Sequence, residues 1–279
     1  MPELPEVETI RRGLAQHVEG RVLERVEILD PRWCEPEAAS ATEAALTGRR
    51  IDRLSRRGKY LIWELEGERA LTMHLRMTGT VLVDPPDAPA HTRVRIALDD
   101  GTLISFVDPR RFGTGHVLDG SDRDAYFAAR LGLEPFDEGF SPEHLRRLAR
   151  SCRAPVKAFL LDQKRIAGVG NIYADEALFR ARIHPLRQSN KLTRTQTDAL
   201  HGAVVAALEA GIAAGGATID DFRHSDGSSG SFQDEFLVHR REGLPCPVCG
   251  ASVRKLVAAG RGTYVCESCQ PRPRVRLAR

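Results

Sequence analysis

Nothing in the 279 residues approaches the roughly 18 consecutive apolar residues that a membrane-spanning helix needs. The opening MPELPEVETI is charged and punctuated by proline, which excludes a secretory signal peptide and makes a cytoplasmic location the expectation. No internal repeat is present, so a solenoid or propeller is excluded. Net charge is only +3, too little by itself to define a partner. Cysteine is sparse, at six residues, and without an export signal a disulfide framework has no support.

What is present is unevenly distributed. A hydrophobic content of 42% is enough for real cores in one to three domains. Residues 236–279 hold nine lysines and arginines against Glu242 and Glu267, an excess of seven, while the rest of the chain stands at −4. A basic end of this kind suits a polyanionic partner, although a solvated tail accounts for PRPRVRLAR equally well. Four of the cysteines form CPVC at 246–249 and CESC at 266–269, with sixteen residues between the pairs. That spacing predicts one structural zinc on Cys246, Cys249, Cys266 and Cys269. Cys34 and Cys152 are left as ordinary buried thiols.

Pro5 suits the first turn of a helix, with Glu6 and Glu8 near its positive end. Val7, Ile10, Leu14 and Val18 form one apolar stripe, and Gly20 is a stop. The period then changes to that of strands in RVLERVEIL, KYLIWELE, ALTMHLRMTGTVLV, RVRIAL and TLISFV, with DDG at 99–101 as a hairpin turn. Residues 1–118 therefore read as a β-sandwich with an N-terminal helix. A polar linker over 119–140 follows. Helices are expected in SPEHLRRLARS, APVKAFLLDQ, NIYADEALFRARI and TRTQTDALHGAVVAALEAGIAAGG, with Ser141, Asn171 and Thr193 near their N-caps. HSDGSSGSF at 224–232 should be a mobile loop closing the helical region at 234. A β-ribbon carries the cysteines over 235–270, and the basic tail 271–279 should be disordered.

Six motifs occur in one order: MPELPEVET, RRGKYL at 56–61, MHLRMTG at 73–79, DPRRFG at 108–113, GVGNIYADEALF at 168–179 and the four-cysteine ribbon. Together they closely resemble the bacterial formamidopyrimidine-DNA glycosylase family over roughly residues 1–270. The resemblance implies an α+β multidomain fold of β-sandwich, helix–two-turn–helix domain and zinc ribbon. It implies excision of oxidised purines, chiefly 8-oxoguanine and formamidopyrimidines, from duplex DNA by a monomer, followed by strand cleavage at the abasic site. A sibling branch acting on oxidised pyrimidines usually begins PEGPE, so Leu4 and the DPRRFG run favour purines. A non-catalytic DNA-binding protein is the other alternative, and the intact Pro2–Glu3 pair argues against it.

The resemblance assigns Pro2 as a Schiff-base nucleophile exposed by loss of Met1. Chemistry supports that choice: an α-amine titrates near ~7.7–8.0, so a useful fraction is neutral at pH 7. It makes Glu3 the proton donor, Glu6 a supporting carboxylate and Lys59 the proton donor in β-elimination. Arg261, in GRGTY, becomes a proton donor in δ-elimination or a phosphate clamp. His74, Met77, Arg110, Arg111 and Phe112 are assigned to DNA binding, Met77 and Phe112 as apolar wedges and Arg110 as a donor to the orphaned cytosine. Lys157 is placed near the lesion pocket. GVGNIY lacks the strand context of a dinucleotide fingerprint and instead feeds Asn171 and its backbone N–H groups toward phosphate. Two positions depart from the family, Ser231 and His239, where tyrosines are common.

Overall fold

A computed structural model describes residues 2–219 and 222–273. Met1 and residues 274–279, on which the expectations of terminal processing and a disordered end fall, lie outside the described residues. The chain forms two compact units, 1–129 with 211–233, and 130–210 with 234–279. Both are discontinuous in sequence, unlike the consecutive domains expected above.

The first unit is a sandwich of two four-stranded antiparallel sheets. The strands are β1 (Leu23–Ile28), β2 (Ile51–Arg57), β3 (Tyr60–Leu65), β4 (Arg69–His74), β5 (Thr80–Val83), β6 (Thr92–Leu98), β7 (Leu103–Val107) and β8 (Thr114–Asp119). One sheet has the order β1-β6-β7-β5 and the other β2-β3-β4-β8. Alternation sets the inward face: Val94, Ile96 and Leu98 of β6 are buried while Arg93, Arg95 and Ala97 are only half-buried. ALTMHLRMTGTVLV is therefore two strands in different sheets, interrupted by the turn at 75–79.

Helix α1 (Leu4–Val18) supplies the stripe foreseen above, and Val7, Ile10, Leu14 and Val18 are all fully buried in the same core as Leu61 and Trp63. Burying each such side chain contributes about 1.5–3 kcal/mol. Short helix α2 (Ala39–Leu46) packs on β1 and β8. Part of the expected linker is helix α3 (Gly120–Ala128), because Tyr126 and Phe127 place their rings edge-on to Tyr60. The strands β2 and β8 escaped notice because IDRLSRR and TGHVLD carry too much polarity to show a clean alternation.

The second unit holds α4 (Pro142–Arg150), α5 (Val156–Leu161), α6 (Asn171–Arg180), most of α7 (Arg194–Ala213) and the ribbon β9 (Arg254–Ala258) and β10 (Arg261–Val265). Ser141 caps α4 through the N–H of His144 at 3.1 Å. Thr193 and Gln196 exchange bonds ahead of α7, the reciprocal arrangement of a capping box. No helix among the described residues is long and apolar enough to cross a membrane.

Helix α1 is also tied to the sheet by charge. Buried Glu8 accepts from Arg11 and Arg12 on its own helix and from Arg56 of β2 at 3.3 Å. Burial pushes its carboxyl up, but those three guanidinium groups outweigh it and bring the pKa to about 2 from an ordinary 4.5. A depressed carboxylate stabilises the fold above its unfolded pKa, and the contribution disappears as pH falls through the folded value. Glu8→Gln should thus unfold at lower urea concentration than the wild type at pH 7. That gap should narrow steadily between pH 4.5 and pH 2, as paired urea titrations would show.

Candidate active site and metal centre

Pro2 is buried immediately before α1. Glu3 is the N-cap of that helix and is 1% exposed. Its N–H donates to Glu6 Oε2 at 2.8 Å, and Glu6 Oε1 accepts from the N–H of Ala217 at 2.7 Å. The terminal residues therefore form a fixed extension of a buried helix. Glu6 has a definite office in this, as the clamp on Glu3.

Lys59 sits in the two-residue turn between β2 and β3, whose first turn residue, Gly58, has φ of 59°. A left-handed first position is what a type II′ hairpin turn requires, and it delivers Lys59 to the strand end where only 5% of it is exposed. Tyr60 pairs with His74 across β3 and β4, their rings edge-on at 4.6 Å. The N–H of Arg76 donates to His74 Nδ1 at 3.0 Å. Burial, then the charges of Arg76 and Lys59, lower the imidazole pKa to about 3. His74 is consequently neutral at working pH with its proton on Nε2, a donor rather than a cation.

MHLRMTG and DPRRFG are organised by one residue that their motifs do not advertise. Asp108, 1% exposed, accepts from Thr78 Oγ1, from the N–H of Arg110 at 3.2 Å, and from the N–H groups of Phe112 and Gly113 at 2.8 and 2.7 Å. The aspartate ahead of proline was the available signal, since such residues bond to backbone a few positions on. A Cβ on Gly113 would lie 2.4 Å from the ring of Phe106, and one on Gly79 would lie 2.5 Å from the carbonyl of Leu75. Both turns must therefore end in glycine to close as tightly as they do. Phe112 is left 49% exposed with the Arg110 guanidinium 4.9 Å over its ring, and Met77 is half-buried.

Arg111 differs from its neighbours. It forms a bidentate pair with buried Asp30 at 2.5 and 2.8 Å, which holds the aspartate's carboxyl down at about 2. The pair braces the turn that carries Arg110 and Phe112, while the Arg111 side chain stays 45% exposed.

The stretch 224–232 is also more constrained than its composition suggests. Val83 N–H donates to the carbonyl of Ser225 and Thr80 Oγ1 to that of Arg223, both at 2.8 Å. Gly230 is there for close approach, since a Cβ would meet the carbonyls of Gly216 and Gly215 at 2.3 and 2.4 Å. Ser231 donates its N–H to Ala214 and its side chain remains exposed.

In the second unit Lys157 is fully buried, and its ammonium lies 2.5 Å from Asp175 Oδ1. The other oxygen of Asp175 meets His239 Nδ1 at 2.8 Å. The Lys157 ammonium is therefore paired inside the fold. The adjacent Glu176 accepts from the N–H groups of Leu237, Val238 and His239, although burial still pushes its carboxyl above the ordinary range. His239, one of the two family departures, thus joins a buried Lys–Asp–His row, with its ring edge-on to Tyr264 at 5.1 Å.

Asn171 is the first residue of α6, after a Gly170 cap, and its amide donates to the carbonyl of Gly262 at 3.1 Å. That bond fixes the helix start beside β10. Arg261 is the first residue of β10 and is exposed, directly after a turn in which Ala259 and Gly260 have φ of 53° and 67°. It stands at the ribbon's end rather than at the loop tip itself.

The sulfurs of Cys246, Cys249, Cys266 and Cys269 lie within 4.8 Å of one another, with cross-pair separations of 3.9 and 3.5 Å. Tetrahedral zinc with bonds near 2.3 Å places sulfurs about 3.8 Å apart. The four cysteines hold one structural zinc.

Three family models account for most of the chain: the formamidopyrimidine-DNA glycosylase N-terminal domain over residues 1–115, the formamidopyrimidine-DNA glycosylase H2TH domain over 131–223, and a zinc finger found in FPG and IleRS over 243–272. Among curated proteins, the formamidopyrimidine-DNA glycosylase of Roseiflexus sp. is 45% identical over 97% of this chain and 100% of its own length. That of Thermus thermophilus is 46% identical over 97% and 98%. Among solved structures, MutM (Fpg) from Thermus thermophilus superposes with a TM-score of 0.88 at 43% identity, covering 98% of this chain and all of the other. Lactococcus lactis Fpg in complex with abasic-site DNA gives 0.91 at 36% identity, covering 97% and 100%. The sandwich, the helical unit and the zinc ribbon thus define a DNA repair glycosylase architecture. The chain belongs to the formamidopyrimidine-DNA glycosylase family.

The metal offers a direct test of how the second unit is built. Among the described residues, the buried cluster around the ribbon is Phe179, Val238, Val253 and two of the cysteines, so zinc supplies folding energy that this small core lacks. Intact protein should contain one zinc per chain. Chelation should abolish binding to duplex DNA while the sandwich retains its near-ultraviolet circular dichroism.

Proposed function

We propose that the protein excises oxidised purines from duplex DNA through an iminium formed by Pro2, and then cleaves the strand at the abasic site. The observation that carries this reading is the terminus itself: a proline placed at the end of a buried helix beside Glu3, within the unit that also presents Lys59 and His74. Relatives with this architecture have been solved on DNA containing Fapy-dG and on abasic DNA, which supports the same substrate class here.

The neutral Pro2 nitrogen attacks the anomeric carbon, the glycosidic bond breaks with its electron pair leaving on the base, and the proton lost from the attacking nitrogen neutralises the departing base. Glu3 delivers a proton to the sugar ring oxygen as the ring opens, leaving an iminium. The iminium acidifies the adjacent sugar carbon, loss of that proton expels the 3′ phosphate, and a second elimination expels the 5′ phosphate. Lys59 supplies a proton in the first elimination, and Arg261 either does so in the second or holds phosphate. Hydrolysis of the remaining iminium regenerates the amine.

DNA-contact roles follow from exposure and donor chemistry. Exposed Phe112 and half-buried Met77 fill the space left in the stack when the damaged nucleotide rotates out. Arg110 reads the base opposite, and neutral His74 donates through Nε2 to backbone phosphate. Asn171 and the first N–H groups of α6 meet phosphate as well. The zinc ribbon presents Arg261. Lys157 and Arg111 act behind these contacts rather than at them. The protein works as a monomer on cytoplasmic, nucleoid DNA.

Borohydride added during reaction with an 8-oxoguanine·cytosine duplex should join DNA covalently to the peptide beginning at Pro2. An adduct on Lys59 would overturn the assignment, and trapping only on duplexes with an oxidised pyrimidine would place the protein in the sibling branch.

Reading and holding should separate in two variants. Arg110→Ala should reduce the preference for cytosine over adenine opposite the lesion by about 1–3 kcal/mol if the contact is bidentate. Arg261→Ala should weaken binding alike for all four opposite bases and lower the log–log salt slope by about one. Excision opposite each base at two salt concentrations decides between them.

A further inference from the structure

The carboxylate of Glu6 is shared between two distant parts of the first unit. One oxygen holds Glu3 N–H at 2.8 Å and the other holds Ala217 N–H at 2.7 Å, 211 residues away in sequence. The fit is close. Gly216 has φ of 77°, and a Cβ there would lie 3.0 Å from Glu6 Cγ and Oε1 and 3.3 Å from its Cα. Beyond Ala217 the bonds continue outward. Gln233 accepts from Thr218 N–H and donates to the carbonyl of Gly230, while Gly230 N–H donates to Thr218 Oγ1, each at 2.8 Å. Phe232 N–H reaches the carbonyl of Gly216 at 3.1 Å. A rearrangement among residues 228–233 therefore moves the Ala217 N–H, and with it one end of the Glu6 carboxylate.

We propose that Glu6 is a positioning residue that couples the conformation of residues 216–218 and 228–233 to the placement of the Pro2–Glu3 terminus, so that the amine is aligned only while the Glu6–Ala217 bond is made. A hydrogen bond from backbone N–H to an ionised carboxylate is stronger than a neutral one and is costly to lose when buried. Glu6 is 1% exposed, so water does not readily replace a departing N–H. Losing the Ala217 N–H releases one carboxylate oxygen, and any turn of the carboxylate on that release shifts the oxygen that holds Glu3. This rests on Pro2 being the nucleophile, and it adds that the nucleophile's reactivity depends on a segment that does not touch it.

The test uses DNA with a preformed abasic site, so that trapping at Pro2 is read apart from base excision. Ala217→Pro removes the N–H, and Thr218→Val removes the acceptor for Gly230 without altering the backbone at Gly216 or Ala217. Borohydride trapping at Pro2 should slow by roughly ten- to a hundredfold for Ala217→Pro, the range expected for losing about 1.5–3 kcal/mol from a charge-assisted bond. It should slow less, in the same direction, for Thr218→Val, with affinity for the abasic duplex and melting temperature retained by that second variant. In a Glu6→Gln background, Ala217→Pro should add little, because the shared link is already gone. Trapping at the wild-type rate in both variants, with only base excision reduced, would show that the stretch acts on the base alone and would overturn the coupling. Strictly additive losses in the double variant would do the same. Failure of the wild type to trap at Pro2 would instead remove the reading of the terminus.

Discussion

The burial of helix α1 is the constraint on which the rest of the first unit depends. A chain terminus has no residue before it to hold its direction, so its placement must come from the residues after it. Here four turns of helix, with every apolar position of one face fully buried, set that direction. Glu8 and Arg56 then fix the rotation of the helix against β2, and Glu6 fixes its first turn. A reactive amine on a flexible end would lose most of the advantage that positioning gives.

The same device recurs wherever this chain needs a turn held in one shape. Glu6, Asp108 and Glu176 are acidic residues nine-tenths buried or more; Glu6 and Glu176 accept from backbone N–H groups remote in sequence, and Asp108 accepts from those of its own turn and from the distant Thr78 hydroxyl. Carboxylates suit the task because they accept in several directions and donate in none. Asp108 ties the wedge-bearing turn to the strand end carrying Met77, and Glu176 ties α6 to the approach to the ribbon. Arg111 and Lys157 belong with them: each spends its charge on a buried aspartate.

Much of this was legible in the sequence where local chemistry decides the outcome. The α1 stripe, the DDG hairpin, the Ser141 cap and the paired cysteines all follow from spacing or from a single residue's preference. Legibility ended where function depended on partners far apart in the chain. Nothing local to DPRRFG distinguishes Arg110 from Arg111, which is drawn to Asp30 eighty-one positions earlier. Lys157 looks like any lysine in an amphipathic helix until Asp175 is brought beside it. Glycine and serine in 224–232 signal slack locally, whereas Gly230 is there because two carbonyls occupy the place of its side chain.

The return of residues 211–233 to the first unit has a consequence for how the protein can be divided. A fragment ending near residue 129 would lack Phe222 from its core, the carbonyls of Arg223 and Ser225 that pair with Thr80 and Val83, and the Ala217 amide that engages Glu6. No single cut yields both units whole. The sandwich and the helical unit therefore cannot be exchanged between homologues as separate cassettes, and recombination must carry the 211–233 stretch with the N-terminal half, or change both together.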